Sequence, residues 1–296
     1  MHIPSTTQCI CCDGTSHTVV YENLTSVYNF ANKKYAVEAC STCGNIRTLP
    51  KPTADELAEI YSSVYLYDVH KLIISEKRYR AKGLVEIIKK KFDSRIKILE
   101  VGCNYGYLLE QLNDFYDVSG IELDKSAVDY CVEKQLNVIQ NTIEHFVASS
   151  TETYDLIILS HVFEHLLNPD ETLAHLQKLL RANGHLMILV PNSKSVSRKL
   201  FGRFWGWWQV PVHINHFTPD SLSALLKKYT YQKQNVYMRG GDSLMLLLSV
   251  MNMFKANKPG GKLSVFKSIL IKMISTAWRC WYVVSNEELG ILAKRK

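Results

Sequence analysis

The sequence predicts an α/β protein: a largely parallel sheet with helices on both faces, preceded by a small module held together by a metal. Two observations carry this. From about residue 96 to 190, short, nearly continuous apolar runs alternate with helical patterns, the signature of a sheet buried on both faces. Ahead of them, two Cys-x-x-Cys pairs stand among β-branched and aromatic residues with no helical period. The 296 residues are 47% hydrophobic and 21% charged, an ordinary folded composition with room for one large domain and a small one.

In chain order, Thr53 with Glu56 forms a capping-box pattern after Pro52 and predicts a helix to Tyr61. A basic helix follows over about His70 to Phe92. Ile96 to Val101 is a buried strand ending at Gly102, and Tyr107 to Leu112 opens a helix. Val118 to Leu123 is a second strand, followed by a helix from Lys125; Asn137 to Gln140 is a third strand and Tyr154 to Ser160 a fourth. A helix from about Asp170 to Leu180 stops at Asn183-Gly184, and His185 to Val190 is the fifth strand. Thr218-Pro219-Asp220 starts another helix, and Gln234 to Met238 with Glu288 to Ala293 would close the sheet as a hairpin. The expected divisions are 1–52 for the metal module, 53–92 for linker helices, 93–240 for the catalytic domain, and 241–296 for a basic helical insert with the last strand.

Cys9-x-x-Cys12 and Cys40-x-x-Cys43 are separated by 27 residues. No secretory leader pattern precedes them, so paired spacing favours a metal over disulfides. Four thiolates suit a closed, structural Zn²⁺ site, with Gly14 and Gly44 easing the knuckles; four reduced thiols are the alternative. Cys11 sits inside the first pair and cannot replace Cys12 without a change of register; Cys103, Cys131 and Cys280 read as ordinary cysteines.

The strongest local signal is Ile98-Leu-Glu-Val-Gly-Cys-Asn-Tyr-Gly106, a buried strand that turns through glycines into a helix. This geometry brings backbone N–H groups close to a ligand. Glu122 ends the next strand 20 residues after Gly102, placed to accept hydrogen bonds from the ribose of an adenosine. A dinucleotide fingerprint needs glycine at 104 and 107, where Asn and Tyr stand. Glu100 ahead of the loop suits a cationic ligand, and S-adenosylmethionine carries both a sulfonium and an ammonium.

The segments ILEVGCNYG, GIELD, YDLIILSHVFEHLLNP, LLRANGHLMILVPN and HINHFTPDSLSALL, in this order, resemble the class I S-adenosylmethionine-dependent methyltransferases. The likeness covers about residues 95 to 230 and implies their Rossmann-like sheet. It implies that Glu100, Gly102 and Gly106, with Cys103 and Asn104 between the glycines, surround the methionine part. It implies further that Glu122 and Leu123 hold the ribose side, that Asn141 to Ile143 lie by the adenine, and that Ser160 and His161 lie under the sulfonium. Asn104 departs from the glycine common there, but Asn tolerates positive φ. CSTCGNIRTLPKPTADELAEIYSSVY resembles the zinc-ribbon leader of bacterial methyltransferases acting on sugars and related metabolites.

Candidate bases are His161, Glu164 and His165 beyond the fourth strand, and His213 and His216 ahead of the Thr218 helix. His161 and His165 are also spaced to share a metal. The Trp- and Arg-rich stretch from Pro191 to His216 reads as a lid over a saccharide or as a packed helix. The expected function is methylation of a sugar or sugar-like acceptor in a polysaccharide or secondary-metabolite pathway. The alternatives are a quinone-like or other small metabolite, and a non-enzymatic zinc-ribbon binding protein.

Nine Lys/Arg against two Glu from Lys255 to Lys296 account for the whole formal charge of +7, so no nucleic-acid partner is expected. No run reaches the roughly 18 apolar residues of a membrane span, and the expected location is cytoplasmic. A basic tail helix, about Leu263 to Val284, would either pack on the domain or touch the inner membrane face and meet a lipid-linked saccharide there.

Overall fold

The computed structural model describes residues 8–26, 33–64, 67–92, 95–240, 243–255 and 285–296. The predicted tail helix at 263–284 lies outside them. Three short strands open the chain: β1 (His17–Thr25), β2 (Lys34–Cys40) and β3 (Ile46–Leu49). Then α1 (Ala54–Val64) begins at a complete capping box: Glu56 N–H donates to Thr53 Oγ1 at 3.1 Å and Thr53 N–H to Glu56 Oε2 at 3.0 Å. It is followed by α2 (Tyr67–Lys91).

The alternating part runs β4 (Lys97–Val101), α3 (Tyr107–Leu112), β5 (Asp117–Glu122), α4 (Lys125–Glu133), β6 (Val138–Gln140), α5 (Ile143–Ser149), β7 (Tyr154–Ser160), α6 (Pro169–Leu179) and β8 (Leu180–Pro191). After it come α7 (Val196–Phe201), β9 (Asn215–His216), α8 (Pro219–Lys228), β10 (Tyr231–Arg239), α9 (Ser243–Lys255) and β11 (Glu288–Arg295). The large sheet has the order β10-β11-β8-β7-β4-β5-β6, and β4 pairs in parallel with both β5 and β7. The α/β class is as predicted, and β10 and β11 are neighbours.

Asn183-Gly184 does not stop a helix as the dipeptide predicts. Helix α6 has already ended at Leu179, and the dipeptide lies within β8, Asn183 at φ 66°. The β7–β8 register jumps there, from Tyr154↔Leu180 to Leu156↔His185. The left-handed residue absorbs extra chain as a bulge, which leaves the rest of β8 in pairing. Helix α5 was not predicted; it is a short helix capped by Thr142 Oγ1, which accepts from His145 N–H at 3.2 Å.

The chain divides into two compact units that interleave in sequence. Unit 1 is Met1–Tyr65 with Val190–Leu225 and Val236–Gly290; unit 2 is Leu66–Leu189 with Leu226–Asn235 and Ile291–Lys296. The boundaries expected at 52, 92 and 240 assume contiguous domains. The first three strands instead take a fourth from far along the chain: β9 pairs antiparallel with β3, Ile46 opposite His216 and Arg47 opposite Asn215.

Unit 1 has its own core. Tyr35, Val37 and Ile46 of the small sheet pack with Phe201, Trp205, Trp207, Trp208 and Val210. The three tryptophans are only 1%, 5% and 3% exposed, so they are interior residues and not stacking platforms on a lid. Trp205 Nε1–H donates to Ser197 Oγ at 2.9 Å and Trp208 Nε1–H to the Gly202 carbonyl at 3.0 Å, which makes their burial possible. In unit 2, Ile98, Leu99 and Leu156 to Leu159 are fully buried along the central strands. Each is worth roughly 1.5–3 kcal/mol of transfer free energy.

Candidate active site

In unit 2, β4 and β5 lie in register with Glu100 opposite Gly120 and Val101 opposite Ile121. Their carboxyl ends therefore meet at Gly102 and Glu122. The loop after β4 passes through three left-handed residues, Gly102 (φ 68°), Asn104 (φ 50°) and Gly106 (φ 68°). Asn104 is the one non-glycine among the three, and its short polar side chain permits that conformation. At Gly102 a Cβ would stand 2.5 Å from Val162 Cγ2, so only glycine lets the turn after β7 close against the loop.

Glu122 holds the loop from its other side. Its Oε2 accepts from Asn104 N–H at 2.8 Å, and its Oε1 from Leu123 N–H at 2.7 Å and Asp124 N–H at 3.0 Å. A carboxylate offers about four lone-pair positions; three are filled, and the one left is on Oε2. Beside it, Leu123 is a large apolar side chain left 63% exposed. Asn141 N–H donates to the Glu122 carbonyl at 3.0 Å, which brings the start of α5 and the buried Ile143 to the same strand ends.

Glu100 is 5% exposed, and its Oε2 has no hydrogen-bond partner among the described residues. Burial, then the neighbouring Cys131 sulfur and the Glu122 carboxylate, push its carboxyl well above the usual range. A buried acid left unsatisfied at the mouth of a strand is a place for a cationic ligand. The thiols of Cys103 and Cys131 sit together under this loop, the second donating to the Asn104 carbonyl at 3.5 Å.

After β7, Ser160 leads into His161, a non-glycine residue at φ 56° with its N–H bonded to the Leu189 carbonyl at 2.9 Å. Such strain is typical of functional turns. Arg80 of α2 donates to His161 Nε2, and His161 Nδ1 lies 3.4 Å from Glu164 Oε1. The Nε2 lone pair is thus engaged, which leaves the ring proton on Nδ1. Glu164 is 1% exposed, and His165 Nε2 stands 3.9 Å from it while the ring stays partly exposed. Arg80 had no assigned role in the sequence; its basic helix was visible, but which cation would meet the turn was not.

The two remaining base candidates belong to unit 1, His216 in β9 and His213 in the loop just before it. Thr48 Oγ1–H donates to the His213 carbonyl at 2.7 Å, so Thr48 Oγ1 must accept from His216 Nε2–H at 3.0 Å. Burial, then the Arg198 cation, push His216 down to about 3, which leaves it a very weak base. His213 donates from Nδ1 to the Trp207 carbonyl at 2.8 Å and stacks on that ring. Both histidines are tied into the architecture of unit 1.

The four predicted ligand cysteines do come together in unit 1. Cys9 and Cys43 sulfurs are 3.6 Å apart, as are those of Cys12 and Cys40, and all four lie within 4.8 Å of one another. Zn–S bonds of about 2.3 Å in a tetrahedron give sulfur–sulfur edges of about 3.8 Å, so the set has the right size. The knuckles are equivalent: Asp13 N–H donates to the Cys9 carbonyl at 2.8 Å, as Gly44 N–H does to that of Cys40 at 2.9 Å. Asp13 (φ 60°) therefore takes the left-handed place of Gly44. Gly14 serves differently, for a Cβ there would press within 3.3 Å of both Cys12 and Cys40 sulfurs. Cys11 is buried against Cys9 and Cys43 but outside the set of four.

Comparison with known proteins agrees with this fold. Over 153 residues the chain is 28% identical to ubiquinone biosynthesis O-methyltransferase of Photobacterium profundum, covering 47% of this chain and 65% of that one. Over 139 residues it is 32% identical to malonyl-[acyl-carrier protein] O-methyltransferase of Halalkalibacterium halodurans, covering 42% and 50%. The chain thus spans one half to two thirds of the length of these relatives. Among solved structures, a SAM-dependent methyltransferase of Archaeoglobus fulgidus superposes with a TM-score of 0.51 at 19% identity, over 76% of this chain and all of that one. A SAM-dependent methyltransferase of Thermotoga maritima, described as a possible histamine N-methyltransferase, gives 0.50 at 12% identity over 78% and 100%. These identities speak for the fold. Residues 73–235 match the family described as Methyltransferase domain, and the chain belongs to that family.

Proposed function

We propose that the chain transfers the methyl group of S-adenosylmethionine to a small-molecule acceptor. One observation carries this most: Glu100 with its unsatisfied oxygen, Gly102 packed against Val162, and Glu122 with one acceptor position left stand around a single loop. When bound, the nucleoside supplies a methyl group on a sulfonium, ready for in-line displacement. The Glu100 carboxylate would face the cationic methionine end, the remaining Glu122 lone pair would take a ribose hydroxyl, and Leu123 would lie against the base. Alignment of this kind is worth roughly 7–11 kcal/mol of barrier, against about 10²–10⁴-fold from one general base.

His165 is the proton acceptor we assign. Its ring is partly exposed and faces the Glu164 carboxylate, whereas His161 is engaged by Arg80. Cys9, Cys12, Cys40 and Cys43 would hold Zn²⁺ in a closed site, where it contributes folding free energy to a small sheet and takes no part in chemistry.

For the acceptor, a sugar or sugar-like molecule comes first, supported by the likeness of the Cys-bearing leader to those of sugar-modifying methyltransferases. A quinone-like phenol is the second reading, favoured by the ubiquinone-pathway relative. Contact with a membrane belongs to the tail beyond the described residues; among those described, no helix is long and apolar enough to cross one. The test is formation of S-adenosylhomocysteine from the labelled cofactor across nucleotide-sugars, lipid-linked sugars and catechols. Turnover on catechols alone would remove the sugar reading, and no cofactor binding at all would remove the enzyme.

A further inference from the structure

Helix α7 holds Arg198 half-buried in unit 1 without a counter-charge among the described residues. The guanidinium Nε is buried and has no hydrogen-bond partner among the described residues. Its Cζ stands 5.6 Å from the centre of the Trp208 ring, and no carboxylate of the described residues pairs with it. Desolvation is costly for an unpaired cation, and a ring face offsets only part of the cost.

The surroundings are built from separate segments. Trp208 stands edge-on to His216 at 4.8 Å and to Tyr21 at 5.9 Å, so β1, α7, the turn at 206–208 and β9 all reach this point. His216 is neutral here, its Nε2–H committed to Thr48. The later segments of unit 1 offer little negative charge, while residues 1–65, which bring Tyr21, hold six Asp/Glu and four Lys/Arg. Over 190–225 and 236–290, eleven Lys/Arg face four Asp/Glu. Of those four acids, Asp220 pairs with Lys194 at 2.5 Å and Glu288 with Arg239 at 3.1 Å. The stretch 256–284 contains no acid at all.

We propose that Arg198, held against Trp208 beside Tyr21 and His216, is an oxyanion-binding site of unit 1 that takes the phosphoryl or carboxylate group of a small molecule. A guanidinium presents paired N–H donors in one plane, which matches two oxygens of either group, and the indole face sets that plane. The site does not depend on the methyl-transfer reading.

The experiment uses the full, zinc-loaded chain with ¹⁵N-labelled indoles, the Trp208 signal being assigned through Trp208→Phe. Inorganic phosphate and acetate are titrated separately at constant ionic strength. The Trp208 indole signal should shift saturably. Saturation by phosphate alone identifies a phosphoryl site, and saturation by acetate alone a carboxylate site. Arg198→Met should weaken the response by about tenfold or more, the scale of a lost charge-assisted hydrogen bond. In anion-free buffer the same variant should melt at or above the wild-type temperature, since it removes an uncompensated cation. No saturable shift with either ion, or equal affinity in Arg198→Met, would overturn the proposal. So would a variant that unfolds well below wild type without anion, because the cation would then be a structural element held by its ring.

Discussion

Replacing Glu122 by Gln keeps the shape of the side chain and changes its charge. The carboxylate accepts three backbone N–H groups, two on Oε1 and one on Oε2. A Gln amide satisfies the two on one end through its oxygen. Its NH₂ then faces Asn104 N–H, donor against donor, at the pivot of the cofactor loop. The lost bond is charge-assisted, worth about 1.5–3 kcal/mol. Its loss should lower the melting temperature by roughly 3–12 °C in a chain of this size. The one remaining acceptor position on Oε2 disappears too, so affinity for S-adenosylhomocysteine should fall about 10- to 150-fold, by the same energy. Calorimetric titration with S-adenosylhomocysteine and a melting curve read both. Glu122→Ala should weaken binding at least as much. An unchanged dissociation constant in Glu122→Gln would refute the role given to this carboxylate, whatever happened to the melting temperature.

Four further outcomes are expected. Gly102→Ala puts a methyl 2.5 Å from Val162 and forces a left-handed alanine, costing about 1–2 kcal/mol in backbone conformation alone; cofactor affinity should drop, and wild-type binding would show that the Val162 turn moves freely. Because the Glu100 pKa is raised in the fold, the folded state holds the extra proton above pH 4.5, and apo stability should decline from there toward the raised value. Glu100→Gln should flatten this decline, and a variant with the same slope as wild type would contradict it. His216 runs the other way: between its ordinary 6.5 and about 3 the unfolded chain binds the extra proton, so stability should fall as pH drops through this window, by about 1.4 kcal/mol per pH unit at most; acid unfolding of His216→Gln that is no less steep would count against this burial. Cys40→Ser should release about one zinc per chain, a count set by the four-thiolate site, and destabilise the small sheet; elemental analysis of the wild type finding no zinc would end that assignment.

The class of fold and the cofactor loop were legible in the chain because their signals are local. A parallel strand buried on both faces must be apolar throughout, as Tyr154 to Ser160 is, and a turn from strand to helix must relax its backbone, as Gly102 and Gly106 do. The spacing of Cys9, Cys12, Cys40 and Cys43 is likewise a local statement about two knuckles. What the chain did not reveal are partnerships between distant residues. That β9 adds to the N-terminal sheet depends on hydrogen bonds such as Thr48 N–H to the Ile214 carbonyl at 2.9 Å and Thr48 Oγ1 with His216 Nε2, the latter 168 residues apart, and no periodicity encodes them. The same tertiary choice put Trp205, Trp207 and Trp208 inside a core, where a sequence rich in Trp and Arg reads equally well as a lid. It also gave the histidines different partners: one ring engaged by Arg80, one facing Glu164, and one buried beside Arg198. Residue type sets what an imidazole can do, but its surroundings, assembled only when the chain folds, set which proton it can hold.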